Sequence, residues 1–186
     1  MAQINLKEIK CVPYQPVEVH QGYTDHSLHI NVSNNKIKIC DIEEKIKQKF
    51  IGGKGYDLWL MWHAVSGTTR WDDPENAICI ASGPLGGVPG YPGGGKSIVT
   101  TISPLTGAPI DSNVGGYFGP YKKFAGFDVI QLEGRAEQDT VILIDGIENT
   151  IKLFHAESIP GDAYELSSAL THHFEEKKPG NDDYGI

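Results

Sequence analysis

The chain has 186 residues and a formal net charge of −8, from 16 Lys and Arg against 24 Asp and Glu; no basic stretch is present to neutralise a phosphate backbone, which excludes nucleic acid as a partner. Its longest apolar runs, such as Val141-Ile142-Leu143-Ile144, fall far short of a membrane span, and the start lacks the charged and apolar regions of a secretory signal, so a soluble cytoplasmic chain is expected. Three widely spaced cysteines (Cys11, Cys40, Cys79) exclude a disulfide scaffold and a self-contained zinc or iron–sulfur site, while glycine is in local excess, 13 of 22 lying between Gly83 and Gly134.

Residues 1–25 are polar, punctuated by Pro13 and Pro16 and without clear periodicity; they read as an N-terminal extension packing on something else. From His26, Leu28, Ile30 and Val32 alternate with polar residues, Asn34-Asn35 turns the chain, and Ile37 and Ile39 complete a hairpin. Asp41 with Glu44 has capping-box character ahead of Ile42, Ile46 and Phe50 at helical spacing, and Gly52-Gly53 ends that helix. A second helix is predicted from Tyr56 to about Val65, apolar enough all round (Leu58, Trp59, Leu60, Met61, Trp62) to be buried. Ala77–Ala81 reads as a buried strand, the tract Gly83–Gly95 holds seven glycines and three prolines, and β-branched Ile98–Ile102 is a strand stopped by Pro104. The segment from Pro104 to Pro120 reads as turns. Strands are predicted at Val129–Leu132, Thr140–Ile144 and Thr150–Phe154, and Asp162 caps a helix in which Leu166, Ala169, Leu170 and Phe174 share a face, ended by Pro179-Gly180. Mixed strands with flanking helices and no regular βαβ alternation predict an α+β fold of mixed β-sheets, with a domain over 26–186.

Gly90-Tyr91-Pro92-Gly93-Gly94-Gly95-Lys96-Ser97 matches the phosphate-loop pattern literally, and Val141–Asp145 imitates a strand ending in a magnesium-binding Asp. The chemistry requires a helix opening at Lys96-Ser97, whose amides hold the phosphates. The next residues are Ile-Val-Thr-Thr-Ile-Ser-Pro, a poor helix and a good strand, which makes a nucleotide hydrolase the weakest reading. The tracts Gly83–Gly95 and Thr106–Gly119 flank one strand. Glycine content alone favours two long surface loops; the alternative is a pair of backbone walls at one end of a sheet, built for close approach of a flat ligand.

Six blocks carry a resemblance, with a further motif upstream of them. Ser82-Gly83-Pro84-Leu85, Ile98-Val99-Thr100, Ser103-Pro104-Leu105-Thr106-Gly107, Ser112-Asn113-Val114-Gly115-Gly116-Tyr117-Phe118-Gly119, Lys123-Phe124-Ala125-Gly126-Phe127-Asp128 and Glu133-Gly134-Arg135-Ala136-Glu137, preceded by Phe50-Ile51-Gly52-Gly53-Lys54-Gly55, occur in order over residues 26 to 186. Together they resemble the N-terminal domain of the tungsten-dependent aldehyde ferredoxin oxidoreductases. The resemblance implies an α+β domain that cradles a bis-pterin tungsten cofactor (molybdenum being the alternative metal), the metal held by dithiolene sulfurs rather than by protein side chains. It places Gly94, Gly95 and Lys96 at a pterin phosphate, where the family usually has arginine; lysine keeps the charge and loses the bidentate fork. Asn113 matches the residue whose backbone carbonyl helps bind Mg2+ between the pterin phosphates, with Ser112, Val114, Gly115 and Gly116 in the same wall. No catalytic residue is expected in this chain.

The resemblance further implies that the 4Fe-4S cluster cysteines, acid–base residues and substrate pocket belong to a larger partner chain, this chain being a small subunit or a fragment. The implied reaction is aldehyde oxidation to carboxylic acid with ferredoxin as electron acceptor, in an anaerobe. Reduction of aromatic-ring thioesters by a related tungsten enzyme, and a cofactor-free structural subunit, are the alternatives. Among other residues, His172-His173 read as a solvated helix end, Trp59, Met61 and Trp62 as core, and Cys79 as a buried inert thiol. Tyr117 and Phe118 either stack on a pterin or pack beneath it, and nothing in the sequence pairs Asp128 or Glu133 with a partner.

Overall fold

The computed structural model describes residues 4–175. Strand β1 (Leu6–Pro13) precedes the hairpin β2 (His26–Asn31) and β3 (Lys36–Asp41), then helices α1 (Glu44–Phe50) and α2 (Lys54–Ala64). Strands β4 (Ala77–Ala81), β5 (Ser97–Ile102) and β6 (Pro109–Val114) lead to helix α3 (Phe118–Phe124). Strands β7 (Val129–Glu133), β8 (Thr140–Asp145) and β9 (Thr150–Ala156) and helix α4 (Ala163–Glu175) complete the order. The larger sheet runs β3-β2-β7-β4-β5-β6, with β2 and β7 parallel and its other neighbours antiparallel; the smaller runs β1-β9-β8, all antiparallel. This is the α+β architecture of mixed sheets and flanking helices that the element pattern predicts.

Alternation sets the layers. Ala77, Cys79 and Ala81 of β4, with Val129 and Ile102, face α1 and α2 and pack on Ile46, Tyr56, Leu60 and Met61. On the opposite face Leu28, Ile30 and Ile130 pack against Ile151 and Leu153 of the smaller sheet, with Phe127 in the same core. Burial of a side chain such as Leu28, Ile151 or Leu153, each wholly inaccessible, contributes about 1.5–3 kcal/mol. Helix α4 begins at the predicted cap, the Asp162 carboxylate accepting from the amides of Tyr164 and Glu165 at 2.8 and 3.1 Å. Phe174 meets Phe154 edge-on at 5.7 Å; the stop at Pro179-Gly180 lies outside the described residues.

Four local expectations change. The aperiodic N-terminal stretch contributes β1, which pairs with β9 from Leu6↔Ala156 to Pro13↔Thr150; a bulge at Ile9 breaks the alternation that would have marked it. Asp41 belongs to β3 and caps nothing, α1 starting after Glu43 without a side-chain cap. Helix α2 is buried on one side only, leaving Trp62 84% and Leu58 38% exposed, so Trp62 is not core. Residues 109–114 form β6 rather than turns, because an edge strand needs only backbone pairing to β5 and tolerates the poor strand formers Asp111, Ser112 and Asn113.

Candidate functional site

The glycine tracts meet at one end of the larger sheet. The loop 82–96 joins the end of β4 to the start of β5, and β6 runs back antiparallel, so that Gly115-Gly116 emerges beside Ser97. The turn 103–108 sits at the other end of β5; the tract Thr106–Gly119 is therefore divided between the two ends of the sheet. A Cβ on Gly95 would lie 2.5 Å from the Gly116 carbonyl oxygen, and one on Gly119 would lie 2.6 Å from Ser97 Oγ. The Ser82 and Ser97 hydroxyls, both buried, bond each other at 3.0 Å beneath this contact. The Gly52-Gly53 motif joins them from the helix side, the Gly53 amide donating to the Ser82 carbonyl at 3.2 Å.

Some of these glycines are not required by the chain itself. Gly83 and Gly115 have ordinary negative or extended φ, and a Cβ on either would meet nothing within 4 Å. Neither backbone conformation nor neighbouring atoms demand glycine there, which leaves a surface open to a group from outside the chain. The amides of Gly93, Gly94, Gly95, Gly115 and Gly116 donate to no acceptor among the described residues. Buried or approached by a ligand, such groups require acceptors, and phosphate oxygens or pterin carbonyl and ring nitrogens supply them.

The predicted site residues fall on two neighbouring segments. Gly94, Gly95 and Lys96 lie in the last turn before β5, with Lys96 exposed. Ser112, Asn113 and Val114 lie on the edge strand β6 opposite Val99, Ile98 and Ser97, with Asn113 exposed on the face that also carries Asp111. Lys54, in the first turn of α2, pairs with Asp111 at 2.5 Å, so a cation and a carboxylate stand between the helix start and β6. Ser97–Ile102 is a strand, not a helix, so Lys96-Ser97 cannot open a phosphate loop. Among the described residues no group of His, Cys, Asp or Glu side chains gathers to hold a metal ion, and no helix is long and apolar enough to cross a membrane.

Sequence reasoning missed the groups beneath the wall. Helix α3 turns its lysines inward and its rings outward: Lys122 and Lys123 are 3% and 2% exposed, whereas Phe118, Tyr121 and Phe124 are 46%, 42% and 58% exposed. Lys123 Nζ donates to the carbonyls of Gly22 (2.5 Å) and Gly83 (2.9 Å) and pairs with the buried Asp128 carboxylate at 3.3 Å. Asp128 Oδ2 accepts from the amides of Thr24 and Asp25, and its backbone carbonyl accepts from Lys122 Nζ. Burial pushes both lysines down from their ordinary value, and Asp128 opposes that shift. The only signal in the sequence is a paired lysine inside an aromatic-rich block six residues ahead of an Asp. Asp57 of α2 is likewise buried; desolvation raises its carboxyl to about 7 although Thr100 Oγ1 donates to Oδ2 at 3.0 Å.

The chain matches the model of the aldehyde ferredoxin oxidoreductase N-terminal domain over residues 27–180. It is 40% identical over 117 residues to the tungsten-containing aldehyde ferredoxin oxidoreductase of Pyrococcus furiosus, covering 63% of this chain and 19% of that protein. The corresponding Pyrococcus horikoshii protein is 37% identical over 124 residues, 67% of this chain and 20% of its own length. An aliphatic sulfonate oxidoreductase, WOR-like subunit, of Pyrococcus furiosus is 30% identical over 128 residues, covering 66% and 20%. The match thus spans about a fifth of these relatives. Among solved structures, the active site complex BamBC of benzoyl coenzyme A reductase superposes with a TM-score of 0.77 at 24% identity, over 84% of this chain and 24% of that one, a likeness of fold. The order of the glycine blocks, the sheet that brings them together and the sequence match over 27–180 agree: this chain belongs to the aldehyde ferredoxin oxidoreductase N-terminal domain family.

Proposed function

We propose that this chain is the tungstopterin-binding part of an oxidoreductase, acting within a complex whose larger chain carries the cluster cysteines and the substrate pocket. The observation that carries the reading is the convergence, at one end of the sheet, of amides at Gly93–Gly95 and Gly115-Gly116 that have no acceptor among the described residues with glycines that the chain's own packing leaves unexplained. A pterin cofactor fits this donor set: the amides would bind phosphate and ring acceptors, Lys96 would pair with a phosphate, and the Asn113 carbonyl would help hold Mg2+ between the phosphates. Bound there, tungstopterin supplies two-electron transfer, with molybdenum as the alternative metal. The work of this chain is to orient the cofactor through fixed backbone groups and to exclude water on the wall side. Ser82, Ser97 and Gly119 hold the two halves of the wall in register.

The reaction proposed is oxidation of an aldehyde with water to a carboxylic acid, the two electrons passing through a 4Fe-4S cluster of the partner to ferredoxin. The relatives named as tungsten-containing aldehyde ferredoxin oxidoreductases support it. The 30% match to an aliphatic sulfonate oxidoreductase subunit favours a second reading, the same wall serving a different substrate. The test is Gly115→Leu against Gly67→Leu, both at positions where an added Cβ has no atom within 4 Å but at opposite ends of α2 and the sheet. Pterin released by acid and oxidised to its fluorescent form is expected to fall roughly tenfold in Gly115→Leu. It should be unchanged in Gly67→Leu, and equal pterin in the two variants would overturn the reading.

A further inference from the structure

Residues 20–25 precede the span matched by the family model, which begins at residue 27, yet they are built into the underside of the glycine wall. His20 and Tyr23 exchange backbone hydrogen bonds at 2.8 and 2.9 Å across Gln21-Gly22, whose φ values of 51° and 85° are those of a tight primed turn. Asp25 is a third residue in the left-handed region, at 61°. A non-glycine residue held there stores strain, which persists only where surrounding contacts over-determine it. Here they do. A Cβ on Gly22 would lie 2.3 Å from the Pro84 carbonyl oxygen, so the turn presses directly on the start of the glycine tract. The Tyr23 hydroxyl donates to the Ile51 carbonyl at 2.8 Å, reaching the residue that opens the Gly52-Gly53 motif and is itself at φ 64°.

The pins come from α3 and the turn before β7. Lys123 bonds one carbonyl on each side of the junction, Gly22 in the turn and Gly83 in the tract, and its third proton faces Asp128. Asp128 in turn holds the amides of Thr24 and Asp25. Lys47 of α1 pairs with Asp25 at 2.9 Å and stands over the Tyr23 ring. An unsupported surface turn would need none of these buried groups, and a lysine at 2% exposure costs stability unless all its protons are engaged.

We propose that residues 20–25 are a clasp that sets the position of the glycine wall, with Lys123 and Asp128 as positioning residues and Gly22 as the point of contact. The assignment rests on the cofactor reading of the wall for its consequence, and on the geometry alone for the clasp itself. Two readouts separate them, each taken on the full chain in its native complex from tungstate-grown cells: tungsten retained per chain, and chymotryptic cleavage of the Leu85–Gly86 bond, where Leu85 is exposed. In Gly22→Ala, cleavage there is expected to accelerate about tenfold and tungsten to fall about tenfold, while amide exchange in β2, β7 and β9 stays slow. Tyr23→Phe, which keeps the ring and loses only the bond to Ile51, is expected to move both readouts in the same direction by about threefold; it carries the test if Gly22→Ala does not fold. Wild-type cleavage in both variants would overturn the clasp. Faster cleavage with unaltered tungsten would overturn its role in cofactor placement and leave the clasp standing, and absence of tungsten and molybdenum from the wild-type complex would overturn the cofactor reading alone.

Discussion

Asp57 offers a sharp test of how the helix layer is held. Its carboxyl is inaccessible, it accepts one hydrogen bond from Thr100 through Oδ2, and Oδ1 has no hydrogen-bond partner among the described residues. Desolvation raises its pKa from the ordinary 3.8 to about 7; Lys122 of α3 acts against the shift, and Asp111 of β6 adds to it. The folded state therefore keeps its proton while the unfolded state loses it. Stability from this group is fully present below about pH 4 and is lost as pH rises through about 7. The displacement of roughly three pH units corresponds to a ceiling of about 4 kcal/mol lost by pH 8. Asp57→Asn keeps an oxygen acceptor for Thr100 and has no charge to desolvate. Urea unfolding of variant and wild type across this range should give equal stability near pH 4 and a variant more stable by about 1–4 kcal/mol near pH 8, the difference growing between those limits. Taking the difference at each pH removes the titration of groups common to both proteins. A variant less stable near pH 8, or a difference independent of pH, would show that burial does not hold Asp57 protonated.

Other perturbations separate the layers. Leu153→Ala, in the core between the two sheets, should cost about 2–5 kcal/mol in the same unfolding assay. Met61→Ala should cost a similar amount, whereas Trp62→Ala, one residue on but 84% exposed, should change stability by less than about 0.5 kcal/mol. Asp162→Ala removes the acceptor for two amides at the start of α4 and should cost about 1 kcal/mol, visible as faster amide exchange at Tyr164 and Glu165. Gly95→Ala, whose Cβ would meet the Gly116 carbonyl oxygen at 2.5 Å, should separate the two halves of the wall and lower pterin retention as Gly115→Leu does.

Period and punctuation make much of the fold legible. The 26–41 hairpin, strands β4, β5, β7, β8 and β9 and the Asp162-capped helix carry apolar residues at the period of their element, and the cap is a local device. The elements that escape depend on contacts distant in sequence. Strand β1 exists because β9, some 140 residues later, pairs with it; β6 exists because β5 offers an unpaired edge. The one-sided burial of α2 is set by where the sheet lies, which its near-continuous apolar run cannot state. The glycine motifs mark the wall, and the turn of the chain at β6 decides which of them share an end. The support beneath is hidden for a physical reason: lysine on a short helix next to three aromatics reads as solvent-facing, and only the Gly22 and Gly83 carbonyls with Asp128 make its burial tolerable.

Whether this sheet end holds a tungsten pterin is read out by elemental analysis of the complex purified around the full chain from tungstate-supplied cells under nitrogen. Tungsten (or molybdenum) together with magnesium is expected, in constant ratio to the chain across the elution peak. A chain eluting with neither tungsten nor molybdenum would contradict tungstopterin binding.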